Sequence, residues 1–251
     1  MVQHPRDWVV SVKGVMRMRS ALPIITISLT CLVSSFAIAA DTDAGNVARG
    51  GRLYDKWYAE AKVTPPDGNH VAWPASNTEH KDADTFRCKS CHGWDLLGKD
   101  GAYSKGSWVT GIVGVNGASD DDPVAIVEVL KDANHGFGGV IPDADLMALA
   151  MFVSKGRIDM DPYIDRETKK AKGDAVEGAR IYETVCAGCH GADGKGVADA
   201  EPMGVISNDN PWEVMHKISY GQPAEAMPAM WVFGPKVAGD LLAYLQTLPA
   251  E

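Results

Sequence analysis

Two five-residue stretches carry reactive side chains at identical spacing: Cys88-Lys89-Ser90-Cys91-His92 and Cys186-Ala187-Gly188-Cys189-His190. Two thiols separated by two residues can act as a redox pair, hold half of a zinc site or add to paired vinyl groups. The histidine that follows each pair discriminates among these chemistries. A redox dithiol needs a surrounding βαβ pattern and no histidine after it. A tetrahedral zinc site needs both Cys-x-x-Cys pairs brought together and leaves His92 and His190 without a role. Attachment of a c-type haem uses all three side chains: the sulfurs add to the vinyl groups as thioethers, and the imidazole turns beneath the ring to ligate iron. The pattern therefore assigns Cys88, Cys91, Cys186 and Cys189 to covalent attachment, and His92 and His190 to the irons of two haem c groups.

Positioning these groups falls to helices that recur around each motif. Before the second motif, "GDAVEGARIYETVCAGCH" places Ala179, Ile181, Tyr182 and Val185 at helical apolar spacing. Before the first, "GNVARGGRLYDKWY" matches it through Gly51-Arg52-Leu53-Tyr54. Tyr182 stands four residues before Cys186 and Tyr54 stands 34 before Cys88, so the first unit carries an insertion at about 55–84. After each motif comes a Gly-Lys turn, then a helix opened by an Asx-Pro pair, Asp122-Pro123 and Asn210-Pro211. A last amphipathic helix closes each unit, "DADLMALAMFVSKG" in one and "VAGDLLAYLQTLP" in the other. The charged stretch between them lacks apolar periodicity. The predicted organisation is all-α: a first unit at 40–157, a linker at 158–173 and a second unit at 174–251. Each unit is small enough for a buried haem to supply much of its apolar interior. Gly111, Gly114 and Gly117 do not have dinucleotide-loop spacing, and Asp120, Asp121 and Asp122 read as a helix start.

With both motifs and the helical repeat in place, the chain resembles a dihaem member of the class I cytochrome c family, two fused cytochrome c domains covering nearly the whole mature chain. The resemblance implies two cytochrome c-like helical domains, each wrapped around one covalently attached haem. It also implies a methionine in a Met-Pro pair as the second iron ligand. Met227-Pro228 after Gly221 fits that role in the second domain, with Met230 as the alternative. In the first domain, aligning Pro123 with Pro211 puts Ile141-Pro142 near the corresponding place. The remaining candidates there are His135 in a glycine-rich loop, Met147 and Met151 on one face of the following helix, and His70 or His80 in the insertion. His135 is the leading one. His216 reads as surface or haem-edge packing, and Trp57, Trp73, Trp94, Trp108, Trp212 and Trp231 read as shields for haem edges and the domain interface.

Residues 1–39 have the layout of a secretory signal, with Arg17 and Arg19 before an uncharged run that ends in Ala37-Ile38-Ala39. If retained, the run is long enough to anchor the protein in a membrane. Its removal takes away Cys31, four basic residues and one acidic residue, which moves the net charge from −9 to −12 and leaves every remaining cysteine inside a motif. An acidic surface excludes nucleic acid as a partner and favours basic docking patches on proteins. The expected role is periplasmic electron transfer between a dehydrogenase or quinol-linked donor and an oxidase or reductase acceptor, with no residues organised for catalysis beyond the iron ligands. The alternatives are a dihaem oxidoreductase acting on a small sulfur compound at the first haem, and a cytochrome subunit of a dehydrogenase complex.

Overall fold

Helix starts follow the caps that the sequence supplies. In the computed structural model, which describes residues 36–250, α1 (Phe36–Glu60) precedes the short helix α2 (Cys88–His92), which carries the first Cys-x-x-Cys-His motif. Helix α3 (Pro123–Leu130) then begins where the Asp122 carboxylate accepts the Val124 N–H at 2.9 Å, and α4 (Asp143–Lys155) closes the first half. The second half opens with α5 (Ala175–Ile181), which passes through a π-helical turn at Tyr182–Cys186 into α6 (Ala187–His190). It continues through α7 (Met203–Asp209), α8 (Pro211–Tyr220) and α9 (Pro235–Leu245), with the Asn210 side chain capping α8 at the Glu213 N–H. Helix α7 was not expected from the sequence. No strand occurs among the described residues, only isolated bridges at Gly98/Val113 and Ile164/Ala171.

Each half is held by its first helix crossing its last, α1 on α4 and α5 on α9. Both crossings are glycine-dependent. A Cβ on Gly50 would overlap the Ala148 carbonyl oxygen, and one on Gly178 would overlap that of Asp240. Only a residue without a side chain lets the backbones come this close. Gly50 is thus the counterpart of Gly178, in the register that pairs Tyr54 with Tyr182. Gly51 instead faces the Tyr220 ring of the second half.

The residues from Phe36 onward form one compact unit, with α1 packed on both α4 and α8. The stretch 158–173, expected as a linker, is folded against the core: Ile158, Met160 and Ile164 are buried, and Lys172 N–H donates to the Tyr163 carbonyl at 2.8 Å. Its apolar positions follow an irregular turn, so neither helical nor strand periodicity reveals them. The inserted segment begins inside α1, which continues through Glu60 before the chain turns irregular. The expected leader lies outside the described residues except for 36–39, where α1 starts. Among the described residues, no helix is long and apolar enough to cross a membrane.

Candidate haem-binding site

The first attachment motif lies at the wall of a cavity of about 630 Å³, within the roughly 300–1,000 Å³ usual for cofactor pockets. Cys88, Cys91 and His92 reach it from α2, and Ile126, Val129, Leu149 and Val153 line it from α3 and α4. Tyr54, Phe86 and Phe137 add aromatic walls. Burial pushes the Cys88 and Cys91 thiols up to about 12. They stay protonated at neutral pH, the opposite of the low-pKa thiolates that serve redox exchange or zinc.

His92 and His135 face this cavity together. Their ring centres are 6.4 Å apart and the ring planes are within 22° of parallel. A metal held between two imidazoles needs roughly 6 Å between ring centres, given metal–nitrogen bonds of about 2 Å. His92 Nδ1 donates to the Val113 carbonyl at 2.7 Å, and His135 Nδ1 donates to the Asp132 carboxylate at 3.1 Å. In each ring the Nδ1 proton is committed, so the Nε2 lone pair is left for a metal. Burial also lowers the His92 pKa, which favours the neutral, ligating form. The residues present therefore fit a covalently held haem with an imidazole on each side.

The other candidates for that second position are engaged elsewhere. His70 lines the cavity, yet its Nε2 donates to the His135 carbonyl at 2.9 Å and its Nδ1 accepts the Ala72 N–H at 3.1 Å. His80 stacks on Trp108 with ring centres 3.3 Å apart. Met147 and Met151 pack in the core and do not line the cavity, and Ile141 is likewise buried in the core.

The second motif repeats the first in its hydrogen bonding. Tyr54 OH donates to the Gly93 carbonyl at 2.6 Å, and Tyr182 OH donates to that of Gly191 at 2.7 Å. Gly98 N–H returns to the His92 carbonyl at 2.8 Å, and Gly196 N–H to that of His190 at 2.7 Å. Cys186 and His190 are half-buried and Cys189 is exposed, so this motif is more open than its counterpart. Burial lowers the His190 pKa, again towards the neutral ring. Met227 lines a different, polar cleft of about 480 Å³ with Arg49, Arg52, Glu60 and Lys62, and His190 does not line that cleft. The structure thus gathers Cys88, Cys91, His92 and His135 around one cavity, while Met227 borders the contact between the two halves.

Two aromatic assignments change. None of the six tryptophans singled out in the sequence lines the cavity, whose walls are mostly aliphatic. Trp94 packs on His216 between the halves, in line with the interface part of that expectation, and Trp108 covers the Lys89 ammonium at 3.7 Å. His216 is fully buried, not at the surface: its Nε2 donates to the Gly51 carbonyl at 2.9 Å among Tyr54, Trp94, Phe152 and Tyr220. Helix α8 presses its apolar face onto α1 and carries the ring inward. The hydrogen bonds of Val113, Asp132 and His70 to the two histidines were not foreseen from the sequence. "DANH" held one usable signal, since an aspartate three residues before a histidine can accept its N–H in an Asx turn. Asp132 does accept the His135 backbone N–H, at 2.9 Å. Val113 is placed by long-range folding and left no local trace.

A short helix that brings two thiols to an apolar cavity, with His92 and His135 lining the same cavity, has the chemistry that a covalently held haem needs. Comparison with known proteins agrees. Residues 173–245 match the family model described as "Cytochrome C oxidase, cbb3-type, subunit III". A "Cytochrome c-553-like" protein of Synechocystis sp. is 32% identical over 105 residues, covering 41% of this chain and 92% of that protein. No solved structure matches the chain. The chain belongs to the c-type cytochromes, a family of haem proteins that transfer electrons and bind haem c covalently.

Proposed function

We propose that the protein is a periplasmic dihaem electron carrier, with haem 1 attached at Cys88 and Cys91 and haem 2 at Cys186 and Cys189. In this reading His92 and His135 would hold the iron of haem 1 and His190 that of haem 2, with Met227 as its second ligand on the strength of the Met227-Pro228 pair. The two groups belong to two cytochrome c domains, at 40–157 and 174–251, exported by the leader at 1–39. The observation that carries it is the His92–His135 pair, 6.4 Å apart across the cavity that also receives both thiols of the motif. The haem iron supplies one-electron chemistry, cycling between ferric and ferrous states.

The chain's own residues set the conditions for that exchange. The Val113 carbonyl fixes the tautomer of His92, and the Asp132 carboxylate fixes that of His135. Aliphatic walls from α3 and α4 exclude water and lower the local dielectric constant. Tyr54 and Tyr182 tie each first helix to the glycine after each motif. Two imidazoles would favour the ferric state more than an imidazole with a thioether, so a haem held by His92 and His135 would have a lower potential than one held by His190 and Met227 and would pass electrons downhill to it. The acidic surface favours partners with basic docking patches, as donor a dehydrogenase or quinol-linked complex and as acceptor an oxidase or reductase.

Haem content of the purified protein tests the count: two per chain are expected, and one per chain in Cys186→Ala/Cys189→Ala. Spectroelectrochemical titration of the intact protein should resolve two potentials. A single transition from two indistinguishable haems would sink the gradient. Carbon monoxide should bind the reduced protein at haem 1 only slowly, and avid binding there would replace electron relay with substrate chemistry or sensing.

A further inference from the structure

The inserted segment must return to the attachment motif, and at that return it meets the opposite wall of the cavity. His70 lies at the meeting point, 8% exposed, with its ring against Phe86 at 5.1 Å and Phe137 at 5.5 Å. Its backbone N–H donates to Thr85 Oγ1 at 2.8 Å, three residues before Cys88. Thr85 in turn donates to the Asp82 carbonyl at 2.7 Å. One ring nitrogen of His70 accepts from Ala72, and the other donates to the backbone carbonyl of His135, 65 residues away in sequence. One residue is thereby anchored beside the motif and bonded to the loop that carries the facing imidazole.

We propose that His70 is a positioning residue for haem 1: its Nε2–H holds the His135 loop so that the His135 ring stays opposite His92. This rests on the reading of His92 and His135 as the two axial ligands. The His135 side chain is fixed by Asp132 within its own loop, but that bond moves with the loop. The His70 bond is different, because it ties the loop to the segment that ends in Cys88. The insertion thereby gains a structural role, spanning from the attachment side of the cavity to the facing side and limiting how far the ligand loop can swing out.

Carbon monoxide binding to the reduced holoprotein, followed by stopped-flow absorbance, tests this in four variants. His70→Leu removes the donor, and the rate of binding at haem 1 should rise on the order of tenfold, the consequence of losing one buried hydrogen bond. His70→Gln can donate its side-chain amide to the same carbonyl and should return the rate to near the wild-type value. Thr85→Val, which frees the His70 backbone while leaving its ring bond possible, should give a smaller rise and covers the case in which His70→Leu does not fold. His135→Ala should bind carbon monoxide freely at haem 1. Should His135→Ala admit carbon monoxide while His70→Leu stays inert, or should His70→Gln behave like His70→Leu, the positioning role is overturned. Should His135→Ala itself stay inert with an unchanged low-spin spectrum, the ligand assignment beneath it fails instead.

Discussion

Gly50 and Gly178 show how much a single hydrogen atom in place of a side chain can decide. Each sits where two helix backbones cross, and each would drive a Cβ into a carbonyl oxygen of the partner helix. Gly50→Ala should therefore destabilise the protein by about 1–3 kcal/mol or more, the range for forcing extra volume into a closed contact. An exposed glycine such as Gly45, with nothing close to it, should tolerate the same change with no loss. Chemical denaturation of the two variants measures the difference, and equal midpoints would contradict the close crossing. Tyr54 matters for another reason. Its hydroxyl satisfies the Gly93 carbonyl in the interior, so Tyr54→Phe leaves a buried acceptor unpaired and should cost about 1–3 kcal/mol. The matching bond from Tyr182 to Gly191 means that Tyr182→Phe should show the same sign of effect.

Helix α1 is the element on which the two halves meet. Along one side it crosses α4, and along another it receives α8. The contact with α8 is built around Asp55, 1% exposed, which pairs with Lys217 of α8 at 2.8 Å and with Arg87 just before the attachment motif. Burial pushes the Asp55 pKa up, but Lys217 and Arg87 outweigh it and the net shift is downward. Removing one partner leaves a buried carboxylate under-compensated, so Lys217→Met should cost about 3 kcal/mol. A denaturation midpoint unchanged in that variant would show that Arg87 alone suffices. Farther along α1, Glu60 accepts Arg49 and Arg52, each at 2.9 Å, and also the Ala224 N–H at 2.9 Å. The loop that carries Met227 is thus moored to the first half of the molecule. Ala224 holds a left-handed backbone, φ 61°, a conformation disfavoured without such an anchor.

At the scale of the whole molecule, acid should separate what these contacts join. Burial holds the His216 pKa down to about 4 against an ordinary value of 6.5. The groups facing it are Asp55, which favours its protonation, and Lys217, which opposes it. The unfolded chain therefore takes up a proton between about pH 6.5 and 4 that the folded chain refuses. Stability present above pH 6.5 falls through this window by about 3 kcal/mol. The depressed Asp55 adds a further loss in the same direction as pH falls below the ordinary carboxylate range. Thermal unfolding followed from pH 7 to 4 should show the decline, with a shallower one in His216→Gln, which still has an amide donor for the Gly51 carbonyl. Parallel declines in both proteins would remove His216 as the cause.

Local chemistry was legible because it is written in adjacent residues. The spacing of Cys88, Cys91 and His92, repeated at Cys186, Cys189 and His190, keeps the three reactive groups of each motif within about one helical turn. Asp122-Pro123 and Asn210-Pro211 marked helix starts by the same nearest-neighbour logic. The likeness of Tyr54 to Tyr182 was visible too, and the structure turned it into a repeated hydrogen bond. What the sequence left open were choices among residues far apart in the chain. His70, His80, Met147 and Met151 stood beside the leading His135 as claimants to the iron when only their types and loop positions were known. Folding placed His70 against the His135 carbonyl, His80 on Trp108, His135 beside the same cavity as His92, and the two methionines in the core. The same holds for His216, drawn into the interior by the packing of α8 on α1, and for the charged stretch at 158–173, whose Ile158, Met160 and Ile164 follow no regular period. A side chain's type and its neighbours determine what it is able to do. Which surface it meets is set by contacts across dozens of residues, and those exist only once the helices have packed.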